Sequence, residues 1–224
     1  MCLSPEVDLA AAVVTGFIAI DTIRRNRNPD ATMLVLIPAI FVVHNLSSAL
    51  MWWGLLGKLG SGIAHPATIL YEFIAFVLWP AYIPLAIRRM ETQPVRRMLI
   101  LVVWLLGLVN SSWHMWRLVR GDITAIAEPH CVAFTFPAEP VLVGILYIVA
   151  TCAVTLLSSH RELVIWGVVN AVAVGLISLW ASYGMPSIWC WWAALTSVYL
   201  NWFIRGHARQ FQNQRHSIVG IDSD

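Results

Sequence analysis

Glu72 is the one carboxylate that falls well inside an apolar run of this sequence, between Ile69-Leu-Tyr71 and Phe-Ile-Ala75-Phe76-Val-Leu-Trp79-Pro80. An acid held away from water either takes a partner or keeps its proton, and a kept proton can be delivered to a substrate. At helical spacing Ala75, Phe76 and Trp79 share its face. In another apolar run Asn110, His114 and Arg117 recur at i, i+4 and i+7. A helix sets these three in one row, which must look at other helices or at a cavity, because a partnerless polar group in hydrocarbon is costly. His44 and Ser48 lie one turn apart in a third run. Glu72, His114, His44 and Asn110 thus form a candidate catalytic set, with Glu72 as the acid and the others orienting it. The plainer alternatives are a structural pair between Glu72 and His114 or His44, and interhelical hydrogen bonding by His44.

Aromatic side chains supply the walls such a set would need. Trp113, Trp116, Trp52, Trp79, Tyr183 and Trp191 are the candidate substrate-binding residues. Eight of the twelve tryptophans (Trp52, Trp53, Trp113, Trp116, Trp180, Trp189, Trp191 and Trp192) map toward one end of the apolar runs. An interfacial aromatic belt accounts for part of this, but a belt has two edges and the other edge is poor in Trp. The excess points to an aromatic pocket, and aromatic faces attract cations. One buried acid beside such walls suits acid-catalysed cyclisation or isomerisation of a lipophilic, isoprenoid-type substrate, as in a terpene cyclase. A non-enzymatic protein binding metal, haem or quinone is the alternative. Its ligands would be Cys2, His130, Cys131 and Cys190, which map to the same end. No tight metal-ligand spacing accompanies them. The same cysteines could form a structural disulfide outside the cytoplasm. No motif specifies a cofactor.

These residues need elements to hold them. Of 224 residues 59% are hydrophobic and 12% charged, with a mean hydropathy of +0.73. A soluble domain of this length cannot hide so much apolar surface, so membrane lipid is the expected partner. Seven apolar runs are expected to be helical spans: Asp8–Ile23, Thr32–Leu56, Pro66–Ile87, Met98–Arg117, Pro140–Leu157, Leu163–Tyr183 and Pro186–Ile204. Each is near the ~20 residues that cross about 30 Å of hydrocarbon. Pro80 and Pro84 are expected to kink the third, and Leu118–Pro137, after the fourth, is the longest connection, an outer loop of the kind that can serve as a lid.

The basic residues give the orientation. Arg24, Arg25, Arg27, Arg88, Arg89, Arg96, Arg97, Arg161, Arg205, Arg209 and Arg215 follow the odd-numbered spans, against Lys58, Arg117 and Arg120 elsewhere. Eleven against three places the N-terminus outside and the C-terminus in the cytoplasm. The expected architecture is therefore an all-α, seven-transmembrane-helix bundle over 1–205, multi-pass in the cell membrane, with a polar cytoplasmic tail at 206–224. Asp21, at the end of the first span, is expected to pair with Arg24 or Arg25. No signal-peptide pattern is visible, since the basic cluster follows the first apolar run. A net charge of +2 spread over several loops excludes a nucleic-acid partner. The expected ligand is a lipophilic small molecule.

Met1-Cys2-Leu3-Ser4 with Glu6 and Asp8, His44 before Trp52-Trp53, Ala75-Phe76-Val-Leu-Trp79-Pro80, and Trp189-Cys190 with Ala193-Ala194 and Ser197 span most of the chain. In these residues it resembles an uncharacterised family of small bacterial polytopic membrane proteins that begin Met-Cys-Phe-Ser. The resemblance implies the membrane architecture and marks Cys2, His44 and Cys190, with no activity attached. After His44 the segment Asn45-Leu-Ser-Ser-Ala departs from the His/Gln-Gln-acid pattern of that family.

Overall fold

The computed structural model describes residues 4–128, 132–135, 140–180 and 185–206. It is mainly helical. Helix α1 (Pro5–Arg25) starts where Pro5 presets the first turn and the Ser4 hydroxyl accepts the Val7 N–H at 3.3 Å. Helix α2 (Thr32–Leu55) returns alongside it. Helix α3 (Ser61–Glu72) runs through a widened, π-type turn at Phe73–Leu78 into α4 (Trp79–Met90). Helix α5 (Pro94–Arg120) opens on a proline and stops at Gly121, whose φ of 69° is the left-handed cap that glycine adopts without strain. Helix α6 (Val141–Thr151) tightens into a 3-10 segment, Ala153–Leu157. Helices α7 (Arg161–Trp180) and α8 (Met185–Leu195) follow, and a helical segment at 197–206 ends the described chain.

Four of these stretches are long and apolar enough to cross a membrane: Pro29–Leu55, Gly62–Met90, Pro94–Arg120 and Arg161–Trp180. The distribution of side chains is compatible with contact with membrane lipid. Apolar residues face outward, as with Phe17 (72% exposed) and Leu179 (81%). Polar ones turn inward, as with Asp8, Asn45, Ser48 and Asn110. Such a surface in water would be a standing aggregation site.

Two sequence expectations change and a third is extended. The Leu118–Pro137 connection is not a plain loop, because β1 (Thr124–Ala127) and β2 (Val132–Thr135) pair antiparallel, Thr124 opposite Thr135 and Ala127 opposite Val132. The fold is therefore helical with one small hairpin rather than all-α. Its alternation drives Val132 and Phe134 inward while Ala125 and Ala133 are half-buried. In the third run the break lies above the prolines, at 73–78, because Pro80 has no N–H to offer the turn before it. Asp21 does pair with Arg25 at 2.7 Å, but it also accepts from Arg205 at 2.8 Å and Asn201 at 2.8 Å, which ties α1 to the final helical segment.

At the end of the bundle where the arginines gather, a clasp joins two connections. Glu91, 2% exposed, accepts the Gln93 N–H at 2.9 Å and the Ser159 N–H at 2.6 Å. Burial works against its charge, but these backbone donors outweigh it and hold the carboxyl below the ordinary carboxylate range. Arg96 reaches across to the Leu157 and Ser158 carbonyls at 3.2 and 2.7 Å.

Candidate functional site

The π-type turn positions the interior. Widening the helix to i→i+5 pairing would aim the Pro80 nitrogen at the Ala75 carbonyl, and proline has no hydrogen to give. The Tyr147 hydroxyl from α6 donates to that carbonyl at 2.6 Å, and the Ser111 hydroxyl from α5 donates to the Val77 carbonyl at 2.7 Å. Helices α4, α5 and α6 are thereby fixed around this one irregular segment.

Aromatic rings then run through the interior from ring to ring. Trp79 lies 4.6 Å from Phe41, Phe41 6.2 Å from His44, and His44 stacks on Tyr71 at 4.3 Å. Tyr71 stacks on Phe134 of the hairpin at 5.1 Å, and Phe134 meets Phe76 edge-on at 6.0 Å. Phe76 stacks on His114 at 5.6 Å, and His114 meets Tyr147 at 6.4 Å. Tyr147 and Trp79, the two ends of this run, both line one cavity. The cavity, about 40 Å³, is lined by Ile37, Phe41, Trp79, Ile83, Tyr147, Thr151, Trp166, Asn170 and Trp189. Trp79 and Trp166, 5% and 6% exposed, carry indole N–H groups with no hydrogen-bond partner among the described residues. The Asn170 amide donates to the Trp166 carbonyl at 2.7 Å.

The four candidate acid–base residues are all buried, on three elements. His114 Nδ1 sits 3.0 Å from the Asn110 carbonyl and 3.1 Å from its Oδ1, while Asn110 Nδ2 donates to the Val143 carbonyl at 2.7 Å. Arg117, on the same face, is 5% exposed and lies 3.9 Å from Asp122. His44 is fully buried, and neither ring nitrogen has a hydrogen-bond partner among the described residues. Glu72, 3% exposed, ends α3; its Oε1 has no hydrogen-bond partner there either, and it makes no ion pair with His114 or His44. The widened turn after Glu72 shifts the helix face, so Phe76 rather than Glu72 meets His114.

The predicted aromatic wall is partly dispersed. Trp79 lines the cavity, and Trp52 is buried with Tyr71 and Phe76 in a neighbouring cluster. Trp113 and Trp116 pair at 5.3 Å toward the surface, with the Arg120 guanidinium 4.7 Å above the Trp116 ring, so they do not wall the cavity. Trp191 is half-buried on α8. Tyr183, Cys2, His130 and Cys131 lie outside the described residues, as does the Cys190 side chain, and with them the metal and disulfide alternatives. Among the described residues no three His, Cys, Asp or Glu side chains cluster as metal ligands. Sequence reasoning missed Phe41, Tyr71 and Phe134 as ring partners. Ile37, Phe41 and His44 do share a helical face, and that spacing was the available signal.

No curated protein and no solved structure matches the chain. Residues 1–215 match a family described as "Family of unknown function (DUF6629)", and the chain belongs to that family.

Proposed function

We propose that this protein crosses the cell membrane seven times, N-terminus outside, and acts on a lipophilic, isoprenoid-type molecule held among its interior aromatic rings. The observation that carries this reading is the run of interior rings from Trp79 to Tyr147, which both line an apolar cavity, with a buried carboxyl one π-type turn before Trp79. Glu72 lies seven residues before Trp79, roughly 10 Å by helix rise. A chain seated beside Trp79 would present its reactive end along His44 and Phe76 toward that acid. The reaction is redox-neutral: Glu72 delivers its proton to an alkene carbon, the aromatic faces stabilise the cation, and loss of a proton from a neighbouring carbon regenerates the acid. His114 and Asn110, bonded to each other, position Phe76 rather than the acid itself.

A second reading is binding of a quinone without catalysis, favoured by the Trp79 and Trp166 indole N–H groups, which have no partner among the described residues and suit carbonyl oxygens. Both readings require the same topology. Reporter fusions after Met90 and after Gly121 are expected to report opposite compartments, Met90 in the cytoplasm. Both reporters on one side would remove the seven-span arrangement.

A further inference from the structure

At the arginine-rich end of the bundle lies a second cavity, about 590 Å³, far larger than the aromatic one and within the range of small-ligand sites. Arg88 and Arg89 from the end of α4 and Arg97 from the start of α5 line it, together with Asn28, Asp30 and Glu91. We infer that this cavity is a binding site for a phosphate-type anion at the membrane surface. The inference is independent of the reading of Glu72.

Three observations carry it. Arg88, Arg89 and Arg97 form no ion pair with any described residue, although two carboxylates stand on the same wall. The Nε of Arg88 is buried and has no hydrogen-bond partner among the described residues, so that donor has lost water and gained nothing there in return. Glu91, the acid nearest in sequence, is already committed through both oxygens to the N–H groups of Gln93 and Ser159. Three guanidinium groups against two carboxylates, one of them engaged, leave the cavity short of an acceptor. Guanidinium binds phosphate oxygens in paired hydrogen bonds and suits this better than any neutral ligand.

Neighbouring bonds keep the cavity in shape. Asn28 Nδ2 reaches Met90 Sδ at 3.8 Å, and His160 Nε2 lies 3.2 Å from the Met90 carbonyl, so three connections meet around it. Arg96, one residue from Arg97, spends its guanidinium on backbone carbonyls and is not available to a ligand. A general attraction of basic loops to anionic lipid would involve Arg24 and Arg27 as much as Arg88 and Arg97. A built site would not.

The test uses the full chain in lipid nanodiscs of phosphatidylcholine alone or with phosphatidylglycerol, and separately in detergent with inorganic pyrophosphate. The thermal midpoint and the lipid retained in native mass spectra are read. The wild type is expected to be stabilised by phosphatidylglycerol, by pyrophosphate, or by both; lipid only names a headgroup as the source, and pyrophosphate only names a free phosphate. R88Q/R97Q is expected to weaken that response about five-fold per arginine, the equivalent of ~1 kcal/mol each. R97Q alone, at an exposed position, serves should the double variant fail to fold. R24Q/R27Q is expected to keep the wild-type response. No response to either probe, or an equal loss in R24Q/R27Q, overturns the site.

Discussion

Glu72→Gln is expected to fold as the wild type does and to lose about 10²–10⁴-fold in turnover, the usual contribution of a positioned general acid. Gln keeps the shape of Glu and can still donate a hydrogen bond, but it has no acidic proton to give. Because Glu72 Oε1 has no hydrogen-bond partner among the described residues, the exchange breaks no hydrogen bond there. A structural carboxylate would behave differently, since removing one partner of a buried pair leaves the other uncompensated. The measurement is deuterium incorporation from D₂O into an all-trans prenol, followed by mass spectrometry, on variants matched for thermal midpoint. Trp113→Phe, at a pair set toward the surface, is expected to be much milder. A fully active Glu72→Gln protein ends the catalytic reading and leaves the quinone one standing.

A large stability effect is expected at Gly107. A Cβ built there would run into the Pro80 carbonyl oxygen and come within 3.3 Å of Ala150 Cβ, where α4, α5 and α6 meet. That carbonyl already lacks its helical partner, because the residue four positions on is Pro84. The obstacle is backbone, so a side chain cannot rotate aside to relieve it. Gly107→Ala is expected to cost about 1–3 kcal/mol, as overpacked interiors do, and Gly107→Val more. Gly144→Ala, in α6 with open space around its Cβ, is expected to leave the midpoint level or raise it slightly. Thermal unfolding in detergent separates the two. Equal midpoints for the Gly107 and Gly144 variants would mean that the helices do not meet as closely as described.

Sequence carried the features set by local composition. Apolar runs, the arginines that bound them and the inward row of Asn110, His114 and Arg117 are legible because lipid enforces a period and a polarity. The Asp21–Arg25 pair is legible for the same reason, being one helical turn long. The Arg205 and Asn201 bonds to Asp21 join residues some 180 positions apart, and no local signal reports them. The hairpin is concealed by shortness: two four-residue strands among apolar helices give little alternation to read. The π-type turn mattered most. Counting at 3.6 residues per turn puts Glu72, Phe76 and Trp79 on one face and aims Glu72 at His114. A turn at i→i+5 pairing undoes that count, and the rings rather than the acid close around the interior. The run of rings itself draws on α2, α3, the π-type turn, α4, α5, β2 and α6, which is a property of packing.

The central claim is that the aromatic interior takes up a lipophilic molecule among its rings, and the most direct measurement is of what leaves with the protein. Wild-type protein and the Trp79→Ala and Trp166→Ala variants would be purified from the same membranes, extracted with organic solvent and compared by mass spectrometry. Removing either indole takes away a cavity wall and an N–H donor that has no partner among the described residues. The account predicts one isoprenoid or quinone species at near-stoichiometric amount in the wild type, reduced several-fold in both variants, with bulk phospholipid unchanged; truncating a buried aromatic anchor costs 2 kcal/mol or more as a rough scale, which is about thirty-fold in affinity. The same lipophilic species in the same amounts in all three proteins would contradict it.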